Sequence, residues 1–114
     1  MSRVINSNKE DETIDRKRVI GLVSKFANEI SSFINFDKIV LFGSYAKGSS
    51  NEDSDIDIAV LVDNYDGDVL ELSSKLWIAA GSISDYIEPV LLDYNDDVTG
   101  FIDEVLNTEI IVAE

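Results

Sequence analysis

The stretch that decides the fold runs from Ile39 to Val62 and reads IVLFGSYAKGSSNEDSDIDIAVLV. It opens with a continuously apolar run that has the length of a buried strand and stops at Gly43. It closes with a run rich in Ile and Val, starting at Ile56, which predicts a second strand. Gly, Ser, Asn and acidic residues lie between the two runs and are typical of a loop. The stretch therefore predicts two strands joined by a polar connection.

Both ends of this connection carry residues suited to phosphate chemistry. Gly43-Ser44 follows the first strand directly, and ten residues separate Ser44 from Asp55-Ile56-Asp57. Glycine has no Cβ, so a phosphate can approach the chain closely at Gly43. A turn out of a strand into a short helix also presents backbone N–H groups, and the Ser44 hydroxyl can donate to a phosphate oxygen. Ser44 can equally be a helix N-cap, and the two roles are compatible.

Asp55 and Asp57 are two residues apart on a strand, so their side chains share one face. At about 7 Å and an effective dielectric near 20, two carboxylates repel each other by ~2 kcal/mol. A divalent cation between them offsets that cost. The neighbouring Ile56 and Ile58 are predicted to face a helix layer. The alternative for the aspartates is a solvated acidic loop that runs into a strand.

A third carboxylate, Glu88, lies within the strand predicted for residues 86–92. A charge in mid-strand is costly unless its surroundings are wet or it binds a metal. Pro89 predicts that this strand lies at a sheet edge, where a charge can also protect against aggregation. If the strand lies beside Ile56–Val62, the three carboxylates converge.

Helical periodicity marks three further segments. The first begins near Asp15 and ends near Asn35, and the second runs from Val69 to Gly81. The third is marked by the apolar residues Val98, Phe101, Ile102, Val105 and Leu106. The order helix, strand, strand, helix, strand, helix predicts an α/β (α+β) fold with helices packed against a small mixed β-sheet.

The rest of the chain predicts one domain. Residues 1–13 are polar and are expected to form a flexible N-terminal segment, with a single domain over residues 14–114. The apolar residues 110–112 indicate either an edge strand or an interface patch. Trp77 is expected to be a core or interface residue rather than a platform for a nucleotide base.

Composition excludes several kinds of function. The 114 residues include no His and no Cys, and the formal net charge is −14. Ser-His-Asp and Cys-His catalysis, His/Cys zinc sites and disulfides are therefore absent, and any metal must bind oxygen ligands. A chain this acidic has no footprint for direct nucleic-acid binding. The sequence has no apolar run of membrane-spanning length and no apolar leader, which favours a cytoplasmic protein.

The segment GSYAKGSSNEDSDIDIAVLV resembles the signature of the DNA polymerase β-like nucleotidyltransferases: Gly-Ser, ten residues, then Asp-x-Asp. The chain length is similar to that of the minimal nucleotidyltransferases. The resemblance implies the polymerase β-like fold, with Gly43 and Ser44 as nucleotide-binding residues. It also implies two Mg²⁺ held by Asp55, Asp57 and Glu88, with the same three carboxylates as the catalytic set.

The resemblance further implies a reaction and a partner. It predicts transfer of a nucleoside monophosphate, AMP from ATP, to a hydroxyl acceptor. Minimal nucleotidyltransferases often accompany HEPN-type helical proteins and act as antitoxins that adenylylate a Tyr of the toxin. Larger relatives add a second domain that helps to hold the base and the acceptor, and this sequence supplies none. The resemblance therefore implies a separate helical partner protein or a homodimer. Two alternatives stay open: a non-catalytic acidic binding or antitoxin module, and an aminoglycoside-type transferase with a small-molecule acceptor.

Overall fold

The computed structural model describes residues 7–43, 55–96, 100–108 and 110–113. In chain order the described residues form α1 (Ser7–Ile30), β1 (Lys38–Phe42), β2 (Ile56–Val62), α2 (Val69–Ile83), β3 (Ile87–Asp93), α3 (Phe101–Thr108) and β4 (Ile110–Ala113). A 3₁₀ turn at Tyr94–Asp96 follows β3. The predicted order of elements is confirmed, and one more strand follows the last helix. No helix among these residues combines the length and apolar content that a bilayer span requires.

The strands form a mixed sheet in the order β3-β2-β1-β4. β2 and β3 are parallel, whereas β1 is antiparallel to both β2 and β4. The edge position predicted from Pro89 is confirmed, because β3 is the outer strand beside β2. At the other edge, residues 110–112 belong to β4, so the strand alternative for the tail is correct.

Helices cover both faces of the sheet, which confirms the predicted fold class. On one face, α1 and α2 pack against residues such as Ile58 and Val60; on the other, α3 packs against Ala59 and Leu61. Burial of each large apolar side chain contributes roughly 1.5–3 kcal/mol. The largest fully buried side chains between the sheet and helices α1 and α2 are Val19, Val23, Phe26, Ile30, Ile39, Leu41, Ile58, Val60, Leu76 and Ile87.

Helix α1 begins and ends earlier than the periodicity predicts. It starts at Ser7, within the segment expected to be flexible, and it ends at Ile30 rather than near Asn35. The two serines that follow favour this end, because their hydroxyls donate to the carbonyls of residues 28 and 29, at 2.8 and 2.9 Å. Phe33, which lies within the helix predicted to end near Asn35, is consequently in a turn and 39% exposed.

Helix α2 starts where the sequence predicts and ends later. The Asp68 carboxylate caps it by accepting the N–H of Glu71 at 3.1 Å. Gly81 was the predicted stop, but the helix continues to Ile83. The chain leaves the helix at Ser84, whose backbone is extended and whose N–H donates to the Ala80 carbonyl at 2.9 Å.

The end of β3 is fastened to the connection between β2 and α2 by the Asp93 carboxylate. It accepts the backbone N–H groups of Asn64, Tyr65 and Asn95 at 2.9, 2.8 and 2.9 Å. These hydrogen bonds lower the pKa of Asp93 to about 2, with that of Asn95 contributing most. Asn64 has the left-handed φ of 59° that the tight turn requires.

Asp93→Ala is expected to lower the urea midpoint of unfolding, because three backbone donors lose their acceptor. In the wild type this contribution is complete above the ordinary Asp pKa of 3.8 and disappears as the pH falls towards about 2. Urea titrations across this range should therefore show a loss of stability at acid pH that is smaller in the variant. Asp96→Ala, in the same turn, is the control, and an equal effect of both substitutions would contradict this assignment.

Candidate active site

The first residues of β2 and β3 bring two of the predicted carboxylates side by side. Asp57 is paired in register with Glu88 of β3 and, on its other side, with Phe42 of β1. Residues paired across neighbouring strands point to the same face, so these three side chains form a row. Asp55, which immediately precedes β2, is exposed, whereas Asp57 and Glu88 are partly buried. The row lies on the face that α3 covers further along the sheet.

The carboxylates interact strongly with one another. A hydrogen bond with Asp55 is the main cause of the raised pKa of Glu88, followed by burial and by the charges of Asp55 and Asp57. Burial, and then the charge of Asp55, raises the pKa of Asp57. The ionised forms of Asp57 and Glu88 are therefore less stable here than in water, and a bound cation would relieve this cost.

Gly43 is required by the geometry of Asp57. Its φ of +79° lies in the left-handed region, and a Cβ built at this position overlaps the Asp57 carboxylate oxygen. The Asp57 Cβ and Cγ atoms both lie 3.2 Å from that position. Close approach of a phosphate was the reason predicted for this glycine, and the structure adds the contact with Asp57. Ser44, the other predicted nucleotide-binding residue, lies outside the described residues.

Residues 24–114 match the family model of polymerase beta nucleotidyltransferases, which covers both the Gly-Ser/Asp-x-Asp stretch and β3. The chain belongs to the polymerase β nucleotidyltransferase family. It is similar to two Methanocaldococcus jannaschii proteins that are named as protein adenylyltransferases. One is 34% identical over 78% of this chain and 93% of its own length, and the other 37% identical over 64% and 67%.

Solved structures share the fold of this nucleotidyltransferase. A Sulfolobus solfataricus protein named as a nucleotidyltransferase superposes with a TM-score of 0.62 at 24% identity, over 88% of this chain and 84% of the other. A chain from a toxin–antitoxin structure with AMP-PNP gives a TM-score of 0.56 at 28% identity, over 82% and 71%. The chain is therefore a nucleotidyltransferase with the predicted fold.

The side chains suit a hard cation, but they do not form a finished metal site. Within residues 55–96 and the other described segments, no three Asp, Glu, His or Cys side chains form a cluster ready to hold a metal. Asp55, Asp57 and Glu88 nevertheless offer only oxygen donors, which Mg²⁺ prefers. Asp55 and Asp57 raise the pKa of Glu88, and a cation bound among these carboxylates would offset that repulsion. The donor set therefore fits Mg²⁺.

Phe42 also belongs to the site, although the sequence indicates only that it ends the first predicted strand. Its ring packs edge-on against Phe101 at the start of α3, with ring centroids 5.9 Å apart and an interplanar angle of 83°. The contact holds the start of α3 against the strand that leads into Gly43. Its strand pairing with Asp57 could not be read from the sequence, because it depends on the register of β1 against β2.

A separate cleft of about 370 Å³ lies at the opposite ends of β2 and β3. Val62, Asn64, Tyr65 and Asp93 are among its lining residues. Asp93, another carboxylate of β3, is the last residue of that strand, six residues after Ile87, and it already accepts three backbone donors. The cleft and the carboxylate row are therefore different features of the molecule.

Gly43→Ala is expected to reduce nucleotidyl transfer roughly 10²-fold, the cost of misplacing a reacting group by about 1 Å. A left-handed alanine also costs about 1–2 kcal/mol of stability. Gly100→Ala is the matched control, because Gly100 has a φ of +75° but nothing within 4 Å of its Cβ position. Transfer rates and urea unfolding should show similar strain in both variants and a loss of transfer only in Gly43→Ala. Equal loss of transfer in both would contradict the role of the Asp57 contact.

Proposed function

We propose that this nucleotidyltransferase uses Mg²⁺ to transfer AMP from ATP to a hydroxyl group, with release of pyrophosphate. The observation that carries the proposal is the register of β2 and β3, which sets Asp57 directly beside Glu88. Asp55, immediately before β2, is close enough to raise the pKa of Glu88. The similarity to the two proteins named as protein adenylyltransferases favours transfer of AMP over transfer of other nucleoside monophosphates.

The proposed roles follow the chemistry of each residue. Gly43 and Ser44 bind the phosphates of ATP, through backbone N–H groups and the hydroxyl. Asp55, Asp57 and Glu88 hold two Mg²⁺, which when bound neutralise phosphate charge and increase the electrophilicity of the α-phosphorus. The net charge of −14 makes this cation essential, because the acidic protein would otherwise repel a free triphosphate.

The bond changes of the reaction balance without a further reactant. The acceptor oxygen forms a bond to the α-phosphorus of ATP, while the bond from that phosphorus to the α,β-bridging oxygen breaks. The electron pair of the broken bond leaves with pyrophosphate. A carboxylate, Glu88 or Asp57, takes the proton of the acceptor hydroxyl, since the chain contains no histidine.

The acceptor we propose is a Tyr hydroxyl on a separate helical protein, a HEPN-type toxin, for which this chain is the antitoxin. The similarity to a chain of a toxin–antitoxin structure with AMP-PNP supports this assignment. The large negative charge also suits a basic partner surface, because opposite charges steer association.

The experiment is adenylylation of the protein that co-purifies with this chain from its native host. The complex is incubated with Mg²⁺ and ATP labelled at either the α- or the γ-phosphate, and modified peptides are mapped by mass spectrometry. We expect label from the α-phosphate only, on a partner tyrosine. Label from the γ-phosphate, or no label with a partner shown to be unmodified, would contradict the proposal.

Two further outcomes identify the alternative functions. Pyrophosphate release only when a small-molecule alcohol is added would indicate an aminoglycoside-type transferase. Partner binding without any ATP turnover would indicate a non-catalytic antitoxin module.

Ile87→Val is a suitable control variant for the adenylylation experiment. It is a conservative change in the core next to Glu88 and should leave transfer intact, since Ile87 lies on the buried face of β3.

A further inference from the structure

Helix α2 turns an apolar and uncharged face away from the sheet. Leu70, Trp77 and Ile78 are 80, 51 and 73% exposed, whereas the residues that pack on the sheet lie on the opposite side of the helix. Ser74 and Gly81 complete the exposed face. Trp77 is therefore not a core residue. An uncharged face of this kind stands out in a chain with 28% charged residues and indicates a contact surface.

The exposed residues form one stripe along the helix. Leu70, Ser74, Trp77 and Gly81 are spaced by four, three and four residues, the spacing of one helical face. The nearest charges, Glu71 and Lys75, lie at one border and pair with each other at 3.5 Å. The stripe thus offers no net charge to a partner.

Large and small residues alternate along the stripe. When a second copy of the helix packs antiparallel against the first, each large residue of one stripe therefore lies opposite a small residue of the other. An axis midway between Ser74 and Trp77, perpendicular to the helix, places these two residues opposite each other in a second copy. The same axis places Leu70 opposite Gly81. Nothing lies within 4 Å of the Cβ position of Gly81, so a partner side chain has room there. Each pair therefore occurs twice in the dimer, once in each direction, as a two-fold interface requires.

We infer that the outer face of α2 is a dimer interface, in which the α2 helices of two copies pack antiparallel about a two-fold axis. The inverted match of large to small residues selects a second copy as the occupant. The net charge of −14 opposes this association at low salt, but at physiological ionic strength charges more than about 8 Å apart are largely screened, and a stripe without charges keeps the remaining repulsion low.

A neighbouring groove extends the interface beyond one helix. Its volume is about 310 Å³, and it lies between α1 and α2, lined by the apolar residues Phe33, Ile78 and Ala79 and by the polar residues Glu29, Lys75 and Ser82. A pair of helices alone covers less than the ~800 Å² per partner of a standard interface. The groove adds the exposed ring of Phe33, over which Lys75 Nζ lies 5.8 Å from the centroid. Because the combined interface is small, we expect a dimer that dissociates on dilution.

Dimerisation through α2 leaves the carboxylate row open. Helix α2 covers the face of the sheet to which Ile58 and Val60 belong, and Asp57 and Glu88 lie on the other face. The two active sites therefore point away from the interface. This inference does not depend on the proposed adenylylation, and nucleotide binding should survive its disruption.

Sedimentation equilibrium of the full chain tests the interface. We expect a monomer–dimer equilibrium that becomes tighter as salt is added, because salt screens the repulsion between the acidic copies. Trp77→Glu should weaken the dimer at least ~10-fold, or about 1.4 kcal/mol. Ser24→Glu adds the same charge on the exposed side of α1 and should dimerise like the wild type. A wild type that stays monomeric at all salt concentrations would overturn the inference.

Cross-linking tests the antiparallel register, and the absence of native cysteine makes the test simple. Under oxidation, an equal mixture of Leu70→Cys and Gly81→Cys chains should form a disulfide between the two variants. Neither variant alone should cross-link, because in this register each position lies opposite the other one. Cross-linking of either variant with itself, or none in the mixture while the variants still dimerise, would overturn this arrangement.

Discussion

Asp57→Asn is expected to abolish nucleotidyl transfer while leaving the metal-free protein at least as stable as the wild type. Loss of a metal-holding carboxylate removes several kcal/mol of transition-state stabilisation, so transfer should fall at least ~10³-fold. Burial and the charge of Asp55 raise the pKa of Asp57, which means that its ionised form opposes folding. After allowance for solvent screening, removal of this charge should raise the free energy of unfolding by up to ~1 kcal/mol.

The measurement is the rate of AMP transfer beside urea unfolding in the presence of a chelator. Asp66→Asn is the control, since Asp66 is exposed in the connection before α2 and the change removes the same charge. We expect it to alter neither quantity. A fall of several kcal/mol in the stability of Asp57→Asn would mean that Asp57 is a structural residue instead.

The second large effect is on stability as a function of pH and Mg²⁺. Both Asp57 and Glu88 have pKa values raised above the ordinary 3.8 and 4.5, so the folded state binds protons that the unfolded chain has released. The metal-free protein should therefore become more stable as the pH falls from neutral towards these raised values. At neutral pH a metal–nucleotide complex at 100 times its Kd should add about 2.7 kcal/mol.

Thermal unfolding with and without Mg²⁺ and ATP, across this pH range, measures both effects. Glu88→Gln should reduce the dependence of stability on pH, because it removes one of the two titrating groups. Glu71→Gln is the control on an exposed helix position. A metal-free wild type that loses stability steadily from neutral pH downward would contradict the electrostatic account of the site.

Much of the fold follows from local signals in the sequence. The strand at Ile56–Val62 is predicted to the residue, because a run of β-branched residues between turn signals suits only a buried strand. The edge position of β3 is predicted for a similarly local reason, the proline at position 89. Each of these depends on chemistry within a few residues of the chain.

Features that depend on tertiary context could not be predicted. Gly81 is compatible with a helix interior, so a terminator read from the sequence is overridden when the helix packs on the sheet. Phe33 fits the helical period, but the helix ends before it. The exposure of Trp77 likewise depends on which face of α2 meets the sheet.

In the candidate site, too, local features could be predicted from the sequence and long-range pairings could not. The sequence identifies Asp55, Asp57 and Glu88 as candidates, and a strand pattern puts the first two on one face. The adjacency of Asp57 and Glu88 required the parallel register of β2 and β3, and the contact of Gly43 with Asp57 required coordinates. The residue pattern within a single segment does not specify which residue of another strand lies beside it.

Calorimetric titration with ATP tests most directly whether these carboxylates form a Mg²⁺-dependent nucleotide site. We expect the wild type to bind ATP with Mg²⁺ present, a chelator to abolish the binding, and Asp57→Asn to bind ATP under neither condition. Binding of equal affinity in the presence of the chelator, or unchanged binding by Asp57→Asn, would contradict this expectation.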